Sequence, residues 1–340
     1  MVGISLGIMG ATGAVGEVMR QIVDERNLPY DTITFLASER SAGTTLKFRN
    51  ENHVVKAIGP DAFKGLDIIL SSTPSSISRE FSPIAAKAGA VVVDNSSAFR
   101  MDPEVPLVVP EVNPEAIAKH KGIIANPNCS TIQMVVALKP LHDLGGLKRV
   151  VVSTYQASSG KGGKGLEDFE RQLAHACHPD GVPEPTAHKH QLLDNCLPDD
   201  WTIGDEGYSE EEWKMVNETR KILGEESLGV TVTCVRVPVR CGHSESINLE
   251  FERPVSPEAA REALAAAPGV IVLDDPVAGN VPLAKASVGR DEVFVGRIRR
   301  DPTVPYGLNL WVVADNLRKG AATNAVQIAE HLLKLSPASA

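Results

Sequence analysis

The sequence predicts a two-domain chain, in which an α/β domain built on a doubly wound parallel sheet precedes an α+β domain. Apolar strands alternate with helical segments up to about residue 130, which is the order of a parallel sheet covered by helices. Longer β-branched segments then follow, as in a domain rich in antiparallel strands. The 340 residues also exceed the roughly 250–300 at which a single core stops growing.

In the first domain, a strand, a glycine turn and a helix are predicted at the very start, in "VGISLGIM" followed by "GATGAVGEVMRQIVDE". The segment "SREFSPIAAKAG" is predicted to be a helix that ends at a glycine. Further strands are predicted at "DTITFLAS", "LDIILSSTP" and "AVVVDNSS", with shorter ones at "LVVPEVN" and "GIIANPN".

The second domain is predicted to contain long strands and two helices. The strands are "KRVVVSTYQAS", "GVTVTCVRVPV", "ESINLEFERP", "EVFVGRIRRD" and "GLNLWVVADN", and the helices are "GLEDFERQLAHA" and "SEEEWKMVNETRKIL". A final helix carries Val326, Ala329 and Leu333 on one face, which predicts that it packs back onto the first domain. The predicted domains are therefore 1–130 with 320–340, and 131–319.

Composition narrows the functional classes. The net charge of 34 − 43 = −9 argues against nucleic acid and anionic membranes as partners. No apolar run reaches the roughly 18 residues of a membrane span. Five scattered cysteines fit free thiols in a reducing compartment, so a cytoplasmic location is expected.

The glycine turn predicts a dinucleotide site. Gly10, Gly13 and Gly16 in "GIMGATGAVG" are spaced G-x-x-G-x-x-G, between a strand and a helix. Such a turn lets the backbone approach a pyrophosphate at the N-terminus of the helix. After the second strand, "ASERSAG" contains both Glu39 and Arg40. If the strand continues, Ser38 and Arg40 share one side and Glu39 faces the other, which favours NADP over NAD.

A single cysteine in "ANPNCST" is the candidate nucleophile. A helix is predicted to begin at or near Ser130, with Ile132, Val135, Val136 and Leu138 as its apolar stripe. At a helix N-terminus, unsatisfied N–H groups and the dipole both favour the thiolate of Cys129, the form that attacks carbonyls. The alternative is a small buried apolar residue that follows a turn.

Motifs in a fixed order resemble the aspartate-β-semialdehyde dehydrogenase family. They are "DNSSAFRMD", "NPNCST", "TYQASSG", "VRVPVRCGHSES" and "ADNLRKGAATNAVQIAE", and the resemblance extends from Gly7 to about His331. It implies a Rossmann-type NADP-binding domain, with a catalytic and dimerisation domain of the glyceraldehyde-3-phosphate dehydrogenase-like type. A homodimer is expected, with a tetramer as the alternative.

The resemblance also implies a reaction. The family reduces β-aspartyl phosphate to aspartate semialdehyde with NADPH, releasing phosphate, in the biosynthesis of lysine through diaminopimelate, methionine and threonine. By resemblance, Cys129 is the nucleophile, His243 the acid–base and Gln156 the residue that orients the acyl group. Hydride can leave only from a tetrahedral carbon, so a thiolate must first add to the aldehyde before a thioester forms.

Charged residues are candidates for recognising the charged groups of the substrate. Arg236 interrupts a β-branched strand, and its burial costs several kcal/mol unless it is paired, so an anionic ligand is a reasonable partner. By resemblance, Arg236 binds the substrate carboxylate, Arg100 and Lys214 bind phosphate, Glu211 binds the amine, and Asn128 is a further substrate contact. Without the resemblance, Glu211 and Lys214 would be a solvated ion pair on one helix face.

The complete set expected to bind the cofactor combines the glycine turn, the segment after the second strand and matched positions elsewhere. These residues are Gly10, Ala11, Thr12, Gly13, Ala14, Val15, Gly16, Ser38, Arg40, Ser41, Thr73, Ser159, Gly160 and Asn316. Lys161 stands where the family has Ala, and its side chain is expected to be a solvated charge. The segment "HACHPDGVPEPTAHKHQLLDNC" matches no zinc spacing, and no metal is expected.

Three rival functions remain open. The nearest is N-acetyl-γ-glutamyl-phosphate reductase, which would be expected to read "PGCY" where this chain reads "PNCS". A non-catalytic NADP-binding regulator with a reactive thiol would leave Arg100, Gln156, Arg236 and His243 unexplained. A thiol acyltransferase or hydrolase would have no need of the glycine turn.

Overall fold

The computed structural model describes residues 4–204 and 206–335. The described residues form two compact units: one extends to Asn128 and includes the segment from Ala321 onward, and the other is Cys129–Gly320. Residues 336–340, which were assigned to the first domain, lie outside the described residues, as do 1–3.

The first unit is built on a parallel sheet, as predicted. Its elements before Asn128 are β1 (Ser5–Met9), α1 (Ala14–Glu25), β2 (Thr32–Ala37), β3 (Thr45–Phe48), β4 (Glu51–Val54), β5 (Lys56–Ala57), β6 (Ile68–Ser71), α2 (Ser75–Lys87), β7 (Val91–Asp94) and β8 (Ile123–Ala125). The main sheet has the order β5-β2-β1-β6-β7-β8, with every neighbouring pair parallel. Strand order therefore reverses between β1 and β6, the position where doubly wound sheets bind ligands.

Local features of this unit differ from prediction, and the edge strand β5, only two residues long, was not predicted. The segment "LVVPEVN" forms a single bridge between Leu107 and Ala125 and no strand, because Pro106 and Pro110 lack the N–H groups that a ladder needs. The antiparallel hairpin of β3 and β4 was not predicted, since β3 alternates over only four residues and β4 is largely polar.

The second unit contains a sheet in which antiparallel pairs predominate, as predicted, together with one short strand and two helices that were not predicted. Its elements are α3 (Cys129–Gly145), β9 (Leu147–Gln156), α4 (Gly162–Ala174), α5 (Glu210–Leu223), β10 (Gly229–Arg236), β11 (His243–Phe251), α6 (Pro257–Ala266), β12 (Val270–Val272), α7 (Ala284–Ser287), β13 (Val293–Asp301) and β14 (Gly307–Ala314). The order is β10-β9-β11-β14-β13-β12, antiparallel from β9 to β13 and parallel at both edges.

The last helix, α8 (Thr323–Leu335), belongs to the first unit and contacts β6, β7 and α1. Val326 and Ala329 are fully buried there, and Leu333 packs at the edge of the same core. No helix within residues 4–204 and 206–335 combines the length and apolar character needed to cross a membrane.

Helix α3 begins at Cys129 and does not have the predicted apolar stripe, because every residue from Ser130 to Leu138 is buried. The helix contacts α5 and α6 as well as β11 and β14, so its polar side chains are enclosed along with its apolar ones. A helix covered on all sides carries no amphipathic signal in its sequence.

Glu245, on β11, is a buried acid that should affect stability. Its side chain is fully buried, and neither carboxyl oxygen has a hydrogen-bond partner among the described residues. Burial raises the pKa of Glu245 well above its ordinary value and outweighs the opposing effect of the nearby Gln133 side chain. The folded chain therefore keeps a proton that the unfolded chain loses above the ordinary pKa, so this group costs more stability as pH rises.

We expect Glu245→Gln to raise the free energy of unfolding at pH 8 by about 1–3 kcal/mol, because the amide cannot ionise in the unfolded state. The gain over the unsubstituted chain should shrink toward pH 5, where the unfolded carboxyl is increasingly protonated. Denaturant titrations at the two pH values measure both effects. A gain of equal size at both would contradict this origin.

Candidate active site

The turn between β1 and α1 is closely packed around glycines. Gly10 has φ of +83°, and a Cβ there would lie 2.2 Å from the carbonyl oxygen of Ser72. A Cβ on Gly16 would lie 2.1 Å from the carbonyl oxygen of Gly10. Thr73, just after β6, borders the same turn, since its Cγ2 would be 3.3 Å from a Cβ on Gly10. Any side chain at Gly10 or Gly16 would therefore push the strand, turn and helix apart.

This turn fits a pyrophosphate. Helix α1 begins after Gly13, which provides no side-chain cap, so the first N–H groups of the helix point outward without one. Thr12 and Ala14 are exposed, Val15 is half-buried and Ala11 is buried beneath the turn. The turn also lies at the reversal point between β1 and β6. Helix N–H groups at this position of a doubly wound sheet bind the diphosphate of a dinucleotide.

The segment after β2 is a turn, so the strand alternation from which NADP was favoured does not hold there. The strand ends at Ala37, and the next residues form a tight turn in which the N–H of Ser41 donates to the carbonyl of Ser38 at 2.9 Å. Residues two apart in such a turn do not share a side, so the strand alternation of Ser38, Glu39 and Arg40 does not apply. All three side chains are exposed.

In the second unit, three strand ends bring predicted residues together. Gln156 ends β9 and Arg236 ends β10, and the two are paired directly in the parallel ladder. His243 begins β11, immediately before the residue Ser244 that pairs with Tyr155. It therefore lies beside Gln156, at the same end of these strands. The register of these strands therefore assembles residues that are up to 87 positions apart in the chain, since 243 − 156 = 87.

His243 is held in one tautomer. Its ring is fully buried, and its Nδ1 accepts a hydrogen bond from the N–H of Ala157 at 3.0 Å. Its Nε2 has no partner among the described residues. Burial, with the nearby positive charge of Arg236, holds the pKa of His243 well below its ordinary value. At neutral pH the ring is therefore uncharged, with its proton on Nε2.

Cys129 is the first residue of α3, which places its thiol at the helix N-terminus. Gln133, one turn further along the same face, donates to the carbonyl of His243 at 3.4 Å. The face of α3 that carries Cys129 thus adjoins the beginning of β11. A Cβ on Gly320 would lie 3.0 Å from the Cβ of Cys129, so the backbone of Gly320 also packs against this residue.

Arg236 is buried, as its need for a partner implied, and the structure gives it an anionic partner within the protein in addition to the ligand that was expected. Its Nε donates to Asp200 at 3.1 Å, and its Nη1 donates to the carbonyl of Ala157 at 2.8 Å. The side chain of Gln156 is a weaker partner, 3.5 Å from Nη1. Among the described residues Nη2 has no hydrogen-bond partner, so one edge of the guanidinium can still bind a ligand.

Glu211 and Lys214 lie on one face of α5, as predicted, with Lys214 Nζ 3.3 Å from a carboxyl oxygen of Glu211. They are not a fully solvated pair, because Glu211 is buried and its other carboxyl oxygen is 3.5 Å from the side-chain nitrogen of Gln156. Helix α5 is fixed at this point by Ser209, whose hydroxyl and backbone N–H form a capping box with Glu212.

A short 3₁₀ turn, Ser158–Lys161, carries two of the predicted cofactor residues. Ser159 and Asn316 are hydrogen-bonded through their side chains at 3.0–3.1 Å, and Asn316 also accepts from the N–H of Gly242 at 2.9 Å. A Cβ on Gly160 would lie 2.8 Å from Arg236 Nη1 and 3.0 Å from the His243 ring. The turn is therefore packed directly against both side chains.

Arg100 and Asn128 belong to the first unit and are both buried. Arg100 donates from Nε to the carbonyl of Asn126 at 3.0 Å and from Nη2 to that of Asn95 at 2.8 Å. These carbonyls follow β8 and β7, so Arg100 lies at the carboxyl edge of the parallel sheet. Asn128 precedes Cys129 at the division between the two units.

Sequence reasoning missed Asp200, His188 and the role of Lys161. Lys161 is ion-paired with buried Asp200 at 2.6 Å and is not a solvated charge. His188, in the segment rich in His and Cys, is buried with its Nδ1 3.1 Å from Asp200. Nothing in the local sequence marks these contacts, because they depend on how distant segments pack. Within the described part of the chain, no three His, Cys, Asp or Glu side chains are grouped so as to hold a metal ion.

Comparisons with known proteins agree over nearly the whole chain. Residues 5–120 match the semialdehyde dehydrogenase NAD-binding domain, and residues 138–319 match the semialdehyde dehydrogenase dimerisation domain. Aspartate-semialdehyde dehydrogenase of Aquifex aeolicus is 55% identical over 98% of both chains. That of Synechocystis is 49% identical over 97% of this chain and 98% of the relative.

Solved structures show the same similarity. Aspartate semialdehyde dehydrogenase II of Vibrio cholerae, complexed with ASA, has a TM-score of 0.95 and 44% identity, covering 99% of this chain and 100% of that one. The Candida albicans enzyme with NADP has a TM-score of 0.73 and 28% identity, covering 97% of this chain and 98% of that one.

Proposed function

Since the chain belongs to the aspartate-semialdehyde dehydrogenase family, we propose that it catalyses the NADPH-dependent reductive dephosphorylation of L-β-aspartyl phosphate to L-aspartate β-semialdehyde. The reaction is reversible and serves lysine, methionine and threonine biosynthesis in the cytoplasm. The observation that carries the proposal is the meeting of Gln156, Arg236 and His243 at one sheet edge, beside the helix that Cys129 begins.

Cys129 forms and breaks the covalent bond. In the oxidative direction its thiolate adds to the aldehyde carbon, and the C–S bond turns that carbon tetrahedral. The bound nicotinamide supplies the acceptor for the hydride that then leaves, or its donor in the reductive direction. The resulting thioester is attacked by a phosphate oxygen, the C–S bond breaks, and Cys129 leaves as the thiolate. The helix N-terminus stabilises that anion each time it forms.

His243 and Gln156 act on the oxygen of the reacting carbon. The acid–base role expected of His243 is here narrowed to that of a donor, because its Nδ1 is already occupied by the N–H of Ala157. The Nε2–H of His243 donates to the oxyanion that forms when sulfur adds, and it needs no charge to do so. His243 accepts a proton at Nδ1 only if the hydrogen bond from Ala157 is broken, which keeps the uncharged donor as its resting form. Gln156, anchored between Glu211 and Arg236, orients the acyl group.

Charged residues recognise the rest of the substrate. Arg236 binds the α-carboxylate through its Nη2 edge, since a guanidinium matches a carboxylate in shape and charge. Glu211 binds the α-amine, Lys214 and Arg100 bind phosphate, and Asn128 is a further substrate contact. Lys214 keeps about a quarter of its side chain exposed, at 27%, so it can meet an incoming anion.

NADP is the proposed cofactor, and the glycine turn and the Ser159–Asn316 pair support it. The residues proposed to bind it are Gly10, Ala11, Thr12, Gly13, Ala14, Val15, Gly16, Ser38, Arg40, Ser41, Thr73, Ser159, Gly160 and Asn316. Ser38, Arg40 and Ser41 lie in or beside the exposed turn after β2, where a 2′-phosphate would be bound by a cation and hydroxyl groups.

We expect Arg40→Ala to raise KM for NADP⁺ about tenfold while changing KM for NAD⁺ less than about twofold, since only NADP⁺ carries the 2′-phosphate. Glu39→Ala is the matched control, because it removes the neighbouring exposed charge of the same turn. Steady-state kinetics with both cofactors measure the effect. If Glu39→Ala impaired use of NAD⁺ and Arg40→Ala changed nothing, the chain would be an NAD enzyme.

The proposed reaction is tested by phosphate-dependent NADP⁺ reduction with L-aspartate semialdehyde as substrate. N-acetyl-L-glutamate semialdehyde serves as the comparison, and turnover with that aldehyde alone would favour N-acetyl-γ-glutamyl-phosphate reductase. Cofactor binding without turnover of either would favour a regulator. Reaction that needs no dinucleotide would favour an acyltransferase or hydrolase.

We also propose a homodimer, with a tetramer as the alternative. The match to a dimerisation domain supports association. Tyr155 on β9 and Trp311 on β14 form an aromatic contact, with ring centroids 5.3 Å apart, on the sheet of the second unit. The side chain of Tyr155 is exposed. Such a surface suits a protein contact. Light scattering distinguishes the two assemblies, and a monomer at micromolar concentration would contradict both.

A further inference from the structure

A buried carboxylate joins Arg236 to residues outside the catalytic set. Leu197 and Arg236 exchange both backbone hydrogen bonds, at 2.8 and 2.9 Å, which brings Asp200 beside the guanidinium. The side chain of Asp200 is fully buried and lies 3.1 Å from Arg236 Nε and 2.6 Å from Lys161 Nζ. It also lies 3.1 Å from Nδ1 of His188.

These contacts fix the direction of Arg236. Asp200 holds its Nε, the carbonyl of Ala157 holds its Nη1, and the ring of Trp201 covers its face at 4.6 Å. The remaining edge of the guanidinium, at Nη2, has no hydrogen-bond partner among the described residues. A guanidinium fixed in this way presents one edge to a ligand without first losing side-chain freedom.

The same contacts set the local charge. Asp200 alone would neutralise Arg236, and a substrate carboxylate approaching the pair would also be repelled by the buried anion. Lys161 adds a second cation, so Asp200, Arg236 and Lys161 together carry one net positive charge. Because Asp200 and Arg236 are buried and the Lys161 side chain is only 29% exposed, that charge is screened less than a surface charge would be.

We propose that Asp200 and Lys161 are positioning residues for substrate binding, in which Asp200 aims Arg236 and Lys161 offsets the charge of Asp200. Lys161 also ends the turn that packs Gly160 against Arg236 and His243, so its ion pair with Asp200 anchors that turn. The inference rests on the proposed role of Arg236 as the group that binds the substrate carboxylate.

The test compares Lys161→Met with Lys164→Met, its matched control. Lys164 lies three residues further on, is exposed, and forms no ion pair within the described residues. We expect Lys161→Met to raise KM for L-aspartate semialdehyde about tenfold, with kcat and the KM values for phosphate and NADP⁺ within about twofold. Lys164→Met should change none of these.

A double-mutant cycle isolates the charge effect. If Lys161 acts by offsetting Asp200, then Lys161→Met should raise that KM less than about threefold in an Asp200→Asn background. A lower kcat, a rise in every KM and a lower melting temperature would indicate a general structural defect and would also overturn the inference. An unchanged KM in Lys161→Met, or an equal rise in both backgrounds, would overturn the inference while leaving the proposed function standing. Absence of turnover in the unsubstituted chain would overturn both.

Discussion

Replacing Cys129 with Ser is expected to lower kcat for oxidation of L-aspartate semialdehyde by at least about 10³-fold, because an alcohol is far less acidic than a thiol at the same helix N-terminus. Binding of NADP⁺ should be unchanged, since the glycine turn that fits its diphosphate belongs to the other unit. Steady-state rates and a fluorescence titration with NADP⁺ measure the two effects.

The other cysteines provide the contrast. Burial, reinforced by the negative charge of Asp315, raises the pKa of Cys241 to about 12, so that thiol stays protonated. Burial also raises the pKa of Cys234 far above the ordinary thiol value. Cys177 is exposed and serves as the matched control, since Cys177→Ser should keep full activity. A Cys129→Ser variant that turns over at the original rate would rule out the thioester.

Gly160→Ala should lower kcat/KM about 10²-fold without loss of folding. The added methyl group would lie 2.8 Å from Arg236 Nη1, closer than real contacts allow, and 3.0 Å from the His243 ring, which is tighter than most real contacts. One or both side chains must therefore move from the positions at which we propose that they bind substrate and oxyanion, and displacements of this kind have large kinetic costs. Steady-state kinetics, with a thermal melt to verify folding, measure the effect.

Gly163→Ala is the control for this substitution. Gly163 lies three residues further on, in the first turn of α4, and a Cβ there meets no atom within 4 Å. The Gly163→Ala variant should therefore keep kcat/KM within about twofold, and its helix α4 should become slightly more stable. Equal losses in the two variants would mean that the whole segment matters and that the contact with Arg236 and His243 does not.

Much of the fold was predictable because its signals are local. Buried strands such as β6 and β7 are short apolar runs, and the glycines of the β1–α1 turn are required by close backbone contacts. The segment around Leu107 shows where such reasoning fails, since its apolar residues predicted a strand while the flanking prolines removed the hydrogen bonds. The stripe expected on α3 failed for another reason, because that helix is enclosed on all sides.

The candidate site was only partly predictable. Cys129, Gln156, Arg236 and His243 stand in motifs that resemble a known family, and the strand register explains why three of them meet. Asp200 belongs to no such motif. Its contact with Arg236 depends on the pairing of Leu197 with Arg236 at the end of β10 and on the path of the chain before Leu197. No local sequence pattern encodes either of these.

The same limit applies to cofactor choice. Ser38 and Arg40 share a side only if β2 continues past Ala37, and whether a strand continues or turns is decided by local hydrogen bonds. Single-residue differences in where a strand ends therefore change which side chains face a ligand.

The most direct test of the proposed chemistry mixes the protein with L-aspartate semialdehyde and NADP⁺ in the absence of phosphate. The thioester mechanism predicts a burst of one NADPH per subunit, with one aspartyl group on the Cys129 peptide by mass spectrometry, and phosphate should then release that group. A burst that leaves Cys129 unmodified, or an adduct that forms only on another cysteine, would contradict it.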